Sequence, residues 1–201
     1  MCAHYRIVTE NASLGQPEVK LGIIPGYGGM QRLPRLVGPA RAAIMSVNGE
    51  PVDGHTAVAW GLADEFVSSA TALSAAVRRA RECISGERSV PRKDWDGIAA
   101  GQKEALDRFL ERVGIREILS ATPPGTEEAK DIRTARTTAA RGALLAMKYG
   151  YENGFSAGLA NDARAFGEIT ASPGGQEWVG RFLNKDPKQS SFLLLIPGEE
   201  T

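Results

Sequence analysis

The chain has 201 residues, with 24 Lys and Arg balanced by 24 Asp and Glu and a formal net charge of zero. That balance argues against a general nucleic-acid binder or a protein held on anionic membranes by charge. A hydrophobic content of 42% is enough to build a core, and the length suits one domain, or a core with a helical appendage. Cys2 and Cys83 are the only cysteines. They make neither a disulfide framework nor a metal pattern, which predicts a reducing, cytoplasmic setting. His4 and His55 are not spaced as a metal pair, so no metal site is predicted. The longest apolar run, Phe192–Ile196, falls far short of the roughly 18–20 residues of a membrane span. The opening MCAHYRIVTE does not read as a secretion signal.

In chain order, Tyr5–Val8 and Ala12–Leu14 read as short strands, and Lys20–Ile24 as an extended segment ending in a turn. Pro25 and the glycines at 26, 28 and 29 interrupt regular structure. Met30–Leu36 reads as a short helix closed by Gly38. Pro39 suits the start of the next helix, which continues through Ala40–Val47. His55–Trp60 is another short helix with Gly61 as C-cap, and Ala63–Val67 returns as a strand. From there the pattern is helical. Ala70–Ile84 carries Leu73, Val77 and Ala80 on one face, residues 85–96 are a polar connector, and Ile98–Leu119 has an amphipathic spacing. Thr122–Gly125 breaks the chain before three last helices at Glu127–Tyr149, Phe155–Thr170 and Trp178–Asn184. Arg78, Arg79, Arg133 and Arg136 read as solvated helix faces, and Trp60 as a packing residue.

The most informative stretch is Leu14–Arg32, LGQPEVKLGIIPGYGGMQR. Glu18 follows Pro17, and the turn Ile24-Pro25-Gly26-Tyr27-Gly28-Gly29 comes soon after, ahead of Gln31 and Arg32. A rigid turn beside an acid can hold a proton-transfer group against a substrate. The apolar neighbours Leu14, Val19 and Leu21 predict partial burial of Glu18, although glutamates ordinarily sit exposed in loops. Gly26 to Gly29 permit positive φ or close backbone approach to a ligand; a tight turn feeding a helix accounts for them equally well. No GxxxxGK[ST] phosphate loop is present.

This stretch resembles the GQPE…LGxxPGxGGxQRL segment of the enoyl-CoA hydratase/isomerase (crotonase) superfamily. The block Asn48–Asp64, the run Ala157–Gly167 and Phe182-Leu183-Asn184-Lys185 resemble further family segments. The resemblance implies an α/β fold: the C-terminal part of a crotonase-like ββα spiral core over residues 1–69, followed by an α-helical oligomerisation region over 70–201. It implies that Glu18 is the acid/base acting next to a thioester, that Gly26 helps to place the attacking water, and that Phe182 and Lys185 contact the CoA end of the substrate. Asp186 and Trp178 depart from the family pattern, where arginine and glycine are common, and His4 stands where relatives often carry aspartate.

The implied activity is hydration of trans-2-enoyl-CoA to 3-hydroxyacyl-CoA in fatty acid metabolism. Enoyl-CoA isomerisation is the alternative, since a double-bond shift needs one glutamate whereas hydration generally uses two. No cofactor is implied beyond the CoA carried by the acyl-CoA substrate, and the implied assembly is a homotrimer or hexamer. In the family a second carboxylate and both oxyanion-hole donors come from upstream of the matching segment, so the resemblance implies that the chain is a fragment. For the chain alone, a non-catalytic helical assembly module is the competing expectation.

Overall fold

The computed structural model describes residues 1–90, 93–112, 115–116 and 132–184. Its first part holds β1 (Ile7–Val8), β2 (Ser13–Leu14), a 3-10 turn (Pro17–Leu21), α1 (Gly29–Val37), α2 (Pro39–Asn48), β3 (Val52–Asp53), α3 (Gly54–Ala59) and β4 (Glu65–Phe66). A second 3-10 turn (Ser69–Thr71) leads to α4 (Ala72–Ser85) and α5 (Trp95–Leu110). The last helices are α6 (Ile132–Asn153), α7 (Phe155–Ala171) and α8 (Pro173–Leu183). The described residues are therefore mostly helical, with β structure confined to two small ladders. One pairs β1 with β4 in parallel, Ile7 opposite Glu65; the other pairs β2 with β3 antiparallel, Leu14 opposite Val52. Among the described residues no helix is long and apolar enough to cross a membrane.

Local chemistry explains most boundaries. Asp53 caps α3 by accepting from the Thr56 N–H at 2.7 Å. Pro39 occupies the first turn of α2, where its missing N–H costs nothing. Ser172 ends α7 and also caps α8, its hydroxyl accepting from the Gly175 N–H at 3.1 Å. The structure departs from the sequence reading at several points. Lys20–Ile24 is not extended: Pro17 opens a 3-10 turn whose end is closed by Gly22 at φ 70°. The strand β3 was not anticipated, since two residues carry no periodicity. The row Leu73, Val77 and Ala80 faces outward, with Leu73 80% exposed; α4 instead buries Ala75.

The core lies between α1, α2 and α6. Ile24, Met30, Leu33 and Val37 meet Ala139, Ala140, Ala143, Leu144 and Met147 in one apolar cluster that also takes in Val8, Ala57 and Leu62. Small residues on α6 let the backbones approach. A Cβ at Gly142 would stand 3.0 Å from both Ile24 and Ile169 side chains, tighter than ordinary packing. Arg79, expected to be a solvated helix face, forms a two-point ion pair with Glu65 at 2.7 and 2.9 Å and a further pair with Glu82 at 2.8 Å. It ties α4 to β4. Trp60 packs against the core with the Arg41 guanidinium 5.2 Å from its ring.

Candidate functional site

Glu18 sits on the 3-10 turn, directly after Pro17, and this turn packs on α2, α6 and α8. Its contact with α2 is close: a Cβ at Gly49 would come within 3.0 Å of Val19 and 3.1 Å of Lys20. Lys20 bonds outward to Glu50 at 2.7 Å, so the neighbouring cation is engaged away from Glu18. The Glu18 carboxyl is half-buried, and its Oε2 is shielded from water without a hydrogen-bond partner. Burial raises its pKa, opposed only by its own backbone N–H. A carboxyl with a raised pKa and an uncommitted oxygen is suited to carry a proton.

The glycine turn is tied to the same segment. The Ile23 N–H donates to the Glu18 carbonyl at 3.2 Å, and the Gly29 N–H to the Gly26 carbonyl at 3.0 Å. The residues with positive φ are Tyr27 (51°) and Gly28 (73°), not Gly26. A Cβ at Gly26 would meet the Phe166 ring at 3.4 Å, an ordinary packing distance. Gly28 has no room for a side chain, since Leu159 and Arg32 fill the space, and Gly29 lies against the Gln16 amide. Glu18 and Gly26 are thus joined through one short, internally bonded segment. Phe182 lies at the end of α8, 51% exposed. Lys185 lies outside the described residues, as do the side chains of Arg133 and Arg136. Among the described residues, no group of three or more His, Cys, Asp or Glu side chains is placed to hold a metal ion.

A polar cluster behind the turn escaped the sequence reading. Gln31 is fully buried on α1 and donates to Asp162 Oδ1 at 2.8 Å and to the Ala146 carbonyl at 2.9 Å. Its own Oε1 accepts from Arg35 Nη1 at 3.1 Å, and Arg35 Nη2 reaches the Gly150 carbonyl at 2.8 Å. The Arg35 guanidinium lies 4.7 Å from the Tyr151 ring centroid. Asp162 is 1% exposed, and its other oxygen has no partner. Burial pushes its carboxyl up to about 6 despite Gln31 and Arg35. The available signal was a pair of polar residues within apolar helical patterns, together with glycines at 150 and 158. A Cβ at either glycine would collide with the Gln31 amide. The cluster locks α1, and hence the turn before it, to α6 and α7.

Solved structures similar to this chain include an enoyl-CoA hydratase from Rhodobacter sphaeroides 2.4.1, with TM-score 0.52 and 20% identity over 95% of this chain and 57% of that one. Others are an enoyl-CoA hydratase/isomerase from Pseudoalteromonas atlantica T6c (TM-score 0.49, 15% identity, 89% and 52% covered) and a carnitinyl-CoA hydratase from Mycobacterium avium (TM-score 0.48, 24% identity, 89% and 51% covered). The first likeness is one of fold. The chain spans about half the length of these structures. A sequence profile described as enoyl-CoA hydratase/isomerase matches residues 1–111, more than half of the chain. With that match, and a PE glutamate set beside a glycine turn, the chain belongs to the enoyl-CoA hydratase/isomerase family.

Proposed function

We propose that this chain carries the proton-transfer carboxyl of an enzyme that hydrates trans-2-enoyl-CoA to 3-hydroxyacyl-CoA. The observation that carries the reading is Glu18, half-buried, raised in pKa and with one shielded oxygen unpartnered. In hydration, the water oxygen bonds to C3 of the enoyl group as the water gives up one proton to a base. The Glu18 carboxyl delivers its proton to C2, through an enolate whose charge sits on the thioester oxygen, and the proton released by the water restores the carboxyl over the cycle. A carboxyl that holds its proton more tightly than an ordinary glutamate is a fit donor to C2 and, in the reverse direction, a fit base. Gly26, on the turn that follows the Glu18 segment, would help to place the water. Phe182 and Lys185 are proposed to meet the CoA end. No redox cofactor or metal enters this chemistry, and CoA arrives with the substrate.

Isomerisation remains the second reading, favoured by one observation. Among the described residues, the other carboxyl with a raised pKa is Asp162, which is enclosed with Gln31 and is not at the surface. One glutamate suffices to carry a proton from C4 to C2. Assembly into a trimer or hexamer belongs to the same proposal, supported by the apolar side chains of Leu73 and Ile84 that α4 leaves exposed. A cytoplasmic setting is supported by the unpaired Cys2 and Cys83.

The test is an assay of the native protein with two substrates. Loss of the conjugated enoyl-thioester absorbance on adding trans-2-enoyl-CoA is the expected result for a hydratase. Gain of that absorbance from a 3-enoyl-CoA identifies an isomerase. Neither change, together with no acyl-CoA binding, contradicts the enzymatic reading and leaves the assembly module.

A further inference from the structure

Among the described residues, Tyr27 is the only residue other than glycine with positive φ, at 51°, and the residue is 104% exposed. A left-handed backbone strains an L-residue in a way that glycine avoids. Glycine is plentiful in this very turn, at 26, 28 and 29. Among the described residues the ring itself rests on no neighbour that would offset the strain. The rest of the turn is packed from beneath: Gly26 on Phe166, Gly28 on Leu159, Gly29 on Gln16. Arg32 Nη1 donates to the Tyr27 carbonyl at 2.6 Å and holds that peptide in place. The turn is therefore a rigid support that presents one aromatic ring to whatever lies outside. It does so in the segment whose backbone is bonded to Glu18.

We propose that Tyr27 is a specificity-determining residue of the Glu18 site, its ring lying against the acyl portion of the thioester. The inference rests on the acyl-CoA reading above and adds to it which part of the substrate this side chain selects. A tyrosine ring offers a broad apolar face with few torsions to freeze. It gains more from a long acyl chain, which can cover that face, than from a short one. The contact is present in substrate and transition state alike, so its loss falls on KM rather than kcat.

The experiment compares the native protein with Tyr27→Gly and Tyr27→Phe, using trans-2-decenoyl-CoA and trans-2-butenoyl-CoA. In Tyr27→Gly, the KM for the ten-carbon substrate is expected to rise about tenfold, the scale of one lost aromatic contact, with a smaller rise for the four-carbon one. Tyr27→Phe is expected to keep the native preference. Because glycine adopts positive φ freely, the melting temperature of Tyr27→Gly should stay level or rise. Equal KM changes for both substrates, or none, overturn the inference while leaving the function intact. A marked fall in melting temperature also overturns it, since the ring would then serve the fold. If the native protein neither turns over nor binds either thioester, the functional reading fails, and the inference with it.

Discussion

Gln31 and Asp162 stand 131 positions apart in the chain, yet the Gln31 amide donates to the Asp162 carboxyl at 2.8 Å in a site closed to water. Gln31 relays between opposite charges: Arg35 donates to its carbonyl oxygen while its amide nitrogen faces Asp162. Replacing Gln31 by Leu would leave Arg35, Asp162 and the Ala146 carbonyl each short of a bond. Arg35 keeps the Gln31 backbone carbonyl at 3.0 Å and the Ala146 carbonyl lies within α6, so Asp162 is the main orphan and Gln31→Leu should lower stability by about 1–3 kcal/mol. Chemical denaturation checks this, and a change below about 1 kcal/mol would contradict a structural role for the cluster.

Asp162 should also leave a mark on the pH dependence of stability. Its folded-state pKa, about 6, lies above the roughly 3.9 of an unfolded aspartate. The fold therefore favours the protonated form. Its contribution is greatest at low pH and is lost as pH rises between about 4 and about 6, by up to about 3 kcal/mol for a two-unit shift. Carboxylates held by arginines, such as Glu65 and Asp64, slope the opposite way. Comparison with Asp162→Asn isolates the term, because Asn still accepts from Gln31 but does not titrate. The stability of the native protein relative to this variant should fall across that interval. A constant difference would show that Asp162 is not held against ionisation.

Gly158 and Gly150 exist for the same amide. A methyl group at either position would meet Gln31 directly, and overpacking a rigid core typically costs about 1–3 kcal/mol. Gly158→Ala is accordingly expected to destabilise by that amount. Gly167→Ala, where nothing among the described residues lies near the added carbon, should be neutral or slightly stabilising, since alanine is the better helix former. The two unfolding curves side by side form the check; equal behaviour would refute the close approach of α6 and α7 to Gln31.

How much of this could be read from the chain depends on the range of the interaction. Helices α1, α2 and α3 were legible because Gly38, Pro39 and Gly61 are local punctuation. Lys20–Ile24 was misread as extended, since apolar Leu21, Ile23 and Ile24 mimic a strand when Gly22 is ignored; Lys20 and Leu21 instead end the 3-10 turn. The stripe on α4 had the right period but no partner among the described residues, and periodicity cannot say which way a helix faces. Glu18 was legible as a candidate from its turn. Its unpartnered oxygen was not, because it depends on packing against α2, α6 and α8. The Gln31 cluster is assembled from residues more than a hundred positions apart, and no local pattern encodes that.

The account depends most on Glu18 as the proton-carrying group. In the native protein, Glu18→Gln keeps the size and polarity of the side chain but cannot exchange a proton. Loss of a positioned acid/base typically lowers turnover by about 10²–10⁴-fold. The decisive measurement is kcat for trans-2-enoyl-CoA in the native and Glu18→Gln proteins, with acyl-CoA binding followed in parallel. The account predicts a fall of at least about a hundredfold in kcat with binding retained. Undiminished turnover in Glu18→Gln would contradict it.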